Sequence, residues 1–158
     1  MLNRTYPDQD CSVARTLEVI GERWTLLIMR DAFFGVHRFD DFQQRLGIAR
    51  NVLATRLAHL CEEGLLERRP YSEHPHRFEY HLTDAGRDLG PVLLALIKWG
   101  DRHHPSPKGP PVRTLHRGCG GEVDARMHCQ ACGAHVEYAD LELVRRDSGK
   151  SLAVAPTS

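Results

Sequence analysis

Four side chains in the C-terminal third of the chain have the types and spacing of metal ligands. His116 and Cys119 are separated by two residues, as are Cys129 and Cys132, and each pair is followed by a glycine, Gly120 and Gly133. In such a knuckle a tight turn points two ligands, and nearby backbone N–H groups, toward one ion. Two knuckles joined by a short hairpin make a tetrahedral Cys3His site of the kind that holds structural zinc. His128 and His135 compete with His116 for the fourth position. Thiolates with imidazole favour zinc over harder ions, with iron an alternative in vitro. A disulfide is disfavoured in a reducing cytosol, and a site that no longer holds metal is the other reading. A closed four-ligand set leaves no place for a metal-bound water, which argues against hydrolysis.

A second group of residues suits phosphates and base edges. Arg50, Asn51, Thr55, Arg56 and His59 lie on a segment whose leucines, Leu53, Leu57 and Leu60, recur at i, i+4 and i+7, so the leucines face inward and the polar set outward. Arginine suits guanine and asparagine suits adenine in a major groove. Arg38 precedes the preceding helix, while Arg69 and Arg77 flank a turn-rich stretch that includes Ser72, His74, Pro75 and His76. Between Phe42 and Cys61 there is no Asp or Glu, so this part is cationic although the 158-residue chain has zero formal net charge.

The elements that must position these residues follow from periodicity. Phe39, Phe42 and Leu46 share a helical face, with Asp40 and Gln43 placed as a capping box. Gly47 breaks that helix, and Gly64 ends the leucine-bearing one. The strict alternation of Phe78-Glu79-Tyr80-His81-Leu82 is that of a half-buried strand, after Leu65 to Arg69 and a turn. Helix, tight turn, helix and hairpin spell a winged helix-turn-helix. Val13, Leu17 and Ile20, with the dense apolar run from Trp24 to Phe34, are expected to form its core. Thr83 is placed to cap a last helix with the stripe Leu89, Val92, Leu93, Leu96 and Ile97, in which Pro91 makes either a kink or a new start. That stripe exceeds what one small core needs, so a second copy of the chain is the expected cover, with a helix that folds back on its own core as the alternative.

With these residues in place, the chain resembles the HxlR-type family of bacterial winged-helix transcription regulators. The resemblance spans about Cys11 to His104. It rests on Cys11 to Leu17, on Ile20-Gly21-Glu22-Arg23-Trp24-Thr25-Leu26-Leu27-Ile28, and on Arg38-Phe39-Asp40 and Gly47-Ile48. Further matches are Glu63-Gly64-Leu65, Tyr80-His81-Leu82-Thr83 and Trp99-Gly100. It implies a homodimer held by the first and last helices, one recognition helix and one wing per subunit, and double-stranded DNA with a palindromic operator as partner. Ser12 stands where proline often follows the cysteine, and Ala49 where a Ser or Thr usually opens the recognition helix; losing that cap costs about 1 kcal/mol of local helix stability.

The resemblance also makes Cys11 a candidate redox sensor. A cap from Asp10 or Ser12 would put the thiol at a helix N-terminus with Arg15 one turn on, both favouring thiolate, while Asp10 opposes it. The competing reading is a packed thiol retained at a dimer contact.

The expected fold is therefore mainly α with small β (α+β). A winged helix-turn-helix with added N- and C-terminal dimerisation helices occupies residues 11–109, a zinc-knuckle-like module 110–147, and a disordered tail 148–158. The Pro-rich stretch 105–111 reads as a stiff linker. No apolar run spans a bilayer and no signal-peptide pattern opens the chain, which places the protein in the cytoplasm, off the membrane. A phosphate loop, a serine elbow and a paired-carboxylate pattern are all missing, so no enzyme is expected. The expected function is that of a sequence-specific DNA-binding regulator, redox-responsive through Cys11; a docking adaptor that kept the winged helix without specific DNA binding is the alternative.

Overall fold

The computed structural model describes residues 11–73, 76–137, 140–145 and 148–152, with side chains not described at 73, 76, 143, 145 and 152. The chain forms two compact units. One runs to Thr83 without residues 33–35, and the other joins 33–35 to the chain from Asp84 onward. The unit boundary lies upstream of the Pro-rich stretch, so the last long helix belongs with the cysteine-rich tail.

The first unit holds four helices and a hairpin: α1 (Ser12–Ile20), α2 (Thr25–Phe33), α3 (Phe39–Leu46), α4 (Arg50–Glu62), β1 (Leu66–Glu73) and β2 (His76–Leu82). This is an α+β winged helix-turn-helix. Gly47 ends α3 in the left-handed conformation, φ 63°, with its N–H donating to the Gln43 carbonyl, a conformation glycine adopts without steric cost. Leu53, Leu57 and Leu60 of α4 are fully buried, as are Ile28, Met29 and Phe42; each such side chain contributes about 1.5–3 kcal/mol. Asp31 is buried too, and its carboxylate pairs with Arg30 at 2.9 Å and Arg45 at 3.3 Å, tying α2 to α3. Breaking a buried pair of this kind costs about 3–5 kcal/mol.

The hairpin is antiparallel, with Leu66 opposite Leu82 and Pro70 opposite Phe78. Its register shifts between Pro70 and Ser72, where proline has no N–H for the ladder. His74 and Pro75, expected at the wing tip, lie outside the described residues.

Two local expectations change. Helix α3 begins at Phe39 because Arg38 is still extended and bridges to Glu79 of β2, so Asp40 and Gln43 form no capping box. The Thr83 hydroxyl, just before α5, also donates to the Gly64 carbonyl at 2.6 Å and closes the hairpin onto the end of α4. In α1 only Ile20 is buried, while Val13 and Leu17 are 65% and 44% exposed, so two expected core residues are surface residues of the single chain. The run after Trp24 is buried on one side, through Ile28, Met29, Ala32 and Phe33, and half-buried at Leu26 and Leu27.

The second unit contains α5 (Asp84–Arg87), α6 (Gly90–His103) and a sheet of order β3-β4-β5, formed by Val112–His116, Leu141–Arg145 and Ser151–Leu152. Pro91 sits in the first turn of α6, so the chain restarts its helix there rather than kinking. Strand β5 falls within the stretch expected to be a disordered tail; residues 153–158 lie outside the described residues. Among the described residues no helix is long and apolar enough to cross a membrane.

Candidate nucleic-acid interface and metal centre

The outward face of α4 is built by subtraction. Once the leucines are buried, the exposed positions are Arg50, Asn51, Ala54, Thr55, Ala58 and, in the last turn, Glu62, which lie on one side of the helix. Two alanines among them leave a shallow surface against which a duplex can approach closely. The Thr55 hydroxyl donates to the Asn51 carbonyl at 2.9 Å, which leaves its oxygen free to accept. No side chain caps α4 at Ala49.

Arg50 is held by α3. Its Nη1 donates to Asp40 Oδ1 at 3.0 Å and to Gln43 Oε1 at 2.9 Å, and its guanidinium lies over the Phe39 ring, 4.8 Å from the centroid. The ion pair is exposed on both sides, 65% and 77%, and such pairs contribute about 0.2–1 kcal/mol. An incoming phosphate or base edge can therefore displace Asp40 at small cost. The capping-box reading of Asp40 and Gln43 hid this positioning role.

Arg38, at the start of α3, donates Nε–H to Glu79 at 3.1 Å and stacks on Tyr71 at 4.7 Å. The Arg38 guanidinium, and then His81, hold the Glu79 carboxyl below its ordinary range. Arg38, Arg50 and Arg77 line a cleft of about 550 Å³ between the start of α3 and the wing, together with Tyr71, Asp40 and Asp41. Tyr71 was not foreseen; its place beside the bulge gave no periodic signal. Arg69 lies on the exposed face of β1, paired with Glu67.

Two expected contact residues turn inward. Arg56 is 21% exposed and bonds Glu22 at 3.1 Å, with its Nε buried and lacking a hydrogen-bond partner among the described residues. His59 donates Nε2–H to the Val19 carbonyl at 3.1 Å. Both tie α4 to the end of α1, because their positions flank the leucine stripe rather than oppose it. Cys11 is exposed at the N-cap position of α1 and makes no cap bond, while Arg15 reaches Ser12 Oγ at 3.2 Å; Asp10 lies outside the described residues. Cys61 is half-buried, and burial pushes its thiol up.

In the second unit the donor atoms of His116, Cys119, Cys129 and Cys132 all lie within 4.8 Å of one another. His116 is the last residue of β3, which roots the first knuckle in the sheet. Cys119 Sγ is 3.3 Å from His116 Nδ1 and 3.2 Å from Cys129 Sγ, and Cys132 Sγ is 3.6 Å from the same Nδ1. A zinc tetrahedron with Zn–S bonds of about 2.3 Å has edges of about 3.7 Å, so the donors need only small shifts. His128 and His135 face each other, ring centroids 5.3 Å apart, as a cross-strand pair instead.

Close approach is built into the backbone. A Cβ at Gly121 would sit 2.5 Å from Cys129 Sγ and 2.6 Å from Ala131 Cβ, while Gly120 and Gly133 take φ of 70° and 71°. The Cys129 thiol is lowered to about 6, first by the Cys132 backbone N–H and with help from Cys119 and the Ala131 N–H. Amides aimed at sulfur favour thiolate, the form that binds metal. The donor set fits a thiophilic divalent ion.

Comparison with known proteins agrees with this architecture. The family match and the relatives make the chain a helix-turn-helix transcriptional regulator, a class that is not enzymatic. The family model described as HxlR-like helix-turn-helix matches residues 19–108, and the chain belongs to that family. It is 51% identical over 125 residues to an uncharacterised HTH-type transcriptional regulator of Mycobacterium bovis, covering 79% of each chain. The crystal structure of PA1607, described as a transcription factor, aligns with TM-score 0.58 at 38% identity over 94% of this chain and 93% of that one. The redox regulator HypR in its reduced form aligns with TM-score 0.56 at 32% identity over 60% of this chain and 94% of its own.

Gly121→Ala is expected to leave the first unit intact but to disrupt the knuckle. Cobalt titration of the wild-type protein should give thiolate-to-cobalt charge-transfer absorption at about one equivalent, with affinity lowered about tenfold or more in the variant; equal cobalt affinity would contradict the close-packing argument.

Proposed function

We propose that this regulator acts as a homodimer in the cytoplasm and reads a palindromic duplex with the exposed face of α4. Arg50, Asn51 and Thr55 enter the major groove, while Arg38, Arg69 and Arg77 hold phosphates beside it. The observation that carries this is the sorting of α4: leucines fully buried on one side, and a pre-positioned but weakly paired Arg50 on the other. Arg56 and His59 serve the frame of the helix rather than the duplex. The dimer reading rests on apolar side chains left at the surface of a single chain, Val13 and Leu17 on α1 and Val92, Leu96 and Trp99 on α6, each needing cover from water. Structural zinc at His116, Cys119, Cys129 and Cys132 completes the tail.

Regulation through Cys11 is part of the proposal. The thiol is exposed at the start of α1, beside Val13, so a disulfide or mixed disulfide there bears directly on a dimer contact. The structural likeness to the redox regulator HypR supports this reading.

Binding sites selected in vitro from random duplexes should show two inverted half-sites. On that DNA, Arg50→Ala is expected to weaken affinity about tenfold or more. Arg56→Ala should mainly lower thermal stability, and equal loss of affinity in both variants would contradict the sorting. Under a thiol oxidant the wild-type protein should run as a linked dimer, or gain the mass of a mixed disulfide, and change its DNA affinity. An unaltered oxidant response in Cys11→Ser ends the redox part of the proposal.

A further inference from the structure

The hydrophobic core of the second unit is small and shared. Leu94 of α6 is buried in one cluster with Val123, Met127, Cys129, Val136 and Leu141. One member, Cys129, is therefore both a core residue and a candidate metal ligand. Val123 bridges to Cys129 across the knuckle hairpin, and Leu141 pairs with His116, a second candidate ligand. Met127 holds φ 61°, which a residue with a side chain adopts at a cost. The Asp124 carboxylate fixes that turn by accepting the Arg126 and His128 N–H groups at 2.8 and 2.9 Å.

A core of this size does not hold a strained turn and two knuckles without a cross-link. The four donors supply one, and the core they would lock is the one against which α6 rests Leu94. On its other side α6 presents Val92, Leu96 and Trp99, 42%, 47% and 57% exposed, at i, i+4 and i+7. Cys119 and Cys132 are themselves exposed, so an ion reaches and leaves the site from solvent without unfolding of the unit.

We infer that the tail is a metal-responsive input to α6: a thiophilic divalent cation bound by His116, Cys119, Cys129 and Cys132 rigidifies the core around Cys129 and Leu94, and so orders the helix that carries the exposed apolar stripe. The inference rests on the metal reading above, and adds that the ion's occupancy is transmitted to α6 rather than confined to the tail.

Hydrogen exchange on the full chain tests it, with zinc content measured on the same samples. At about one zinc per chain, amides of residues 90–103 should exchange about threefold or more slowly than after chelation, and re-added zinc should restore the protection. Residues 50–62 should not respond. Cys132→Ser should exchange like the stripped protein with or without zinc. Leu94→Ala should keep its zinc while the response of 90–103 shrinks. Stoichiometric zinc with unchanged exchange across 90–103 overturns the coupling and leaves the metal site standing; no zinc bound by the folded protein removes the metal site, and the coupling with it.

Discussion

Leu53, Leu57 and Leu60 leave α4 no rotational freedom, and most of what the first unit presents to a partner follows from that. With all three fully buried beside Phe42, Ile28 and Met29, a turn of the helix about its axis would expose apolar surface worth several kcal/mol. Arg50, Asn51 and Thr55 therefore face outward whatever their own preferences. The flanking positions are settled by the same restraint: Arg56 and His59 lie at the edges of the stripe and find partners in Glu22 and the Val19 carbonyl. The buried Asp31, paired to Arg30 and Arg45, keeps α3 in place, and α3 in turn supplies Asp40, Gln43 and Phe39 to orient Arg50. Orientation of the exposed face of α4 is thus carried by packing, while the Arg50 ion pair stays exchangeable.

The second unit solves a different problem. Its buried cluster is small, and Cys129 belongs both to that cluster and to the group of four candidate donors. Glycine at 121 allows the strands of the hairpin to approach to the distance that thiol coordination requires. The helix α6 contributes Leu94 to this core, which makes the cysteine-rich segment more than an appendage beyond a linker.

Much of this was legible in the residues. The i, i+4, i+7 leucines announced α4, the alternation from Phe78 to Leu82 announced β2, and Gly47 marked the turn between helices. The ligand spacing singled out four donors that the fold brings together, but left His128 and His135 as rivals of His116. Other features were not legible, for physical reasons. Helical periodicity separates inside from outside but cannot say which flanking residue meets a distant partner, so Arg56 and His59 read as outward. A capping box and a pair of arginine-binding side chains are written with the same letters, which concealed the role of Asp40 and Gln43. Apolar periodicity in α1 identified a stripe at Val13 and Leu17 but not that a single chain leaves it uncovered. The place of α6 beside the tail depends on contacts between segments far apart in the chain, such as Leu94 with Val123 and Val136, for which no local pattern speaks.

The central claim is that the exposed face of α4 with its weakly paired Arg50, and the cleft beside it that Arg38 and Arg77 also line, engage the phosphates and base edges of a duplex. The salt dependence of binding to a selected duplex measures this most directly, because each phosphate neutralised releases counterions. The account predicts that affinity falls steeply and linearly on a logarithmic plot, with a slope corresponding to roughly six or more contacts per dimer. An affinity that barely changes between low and physiological salt would contradict it, and would assign the winged helix to docking on another protein.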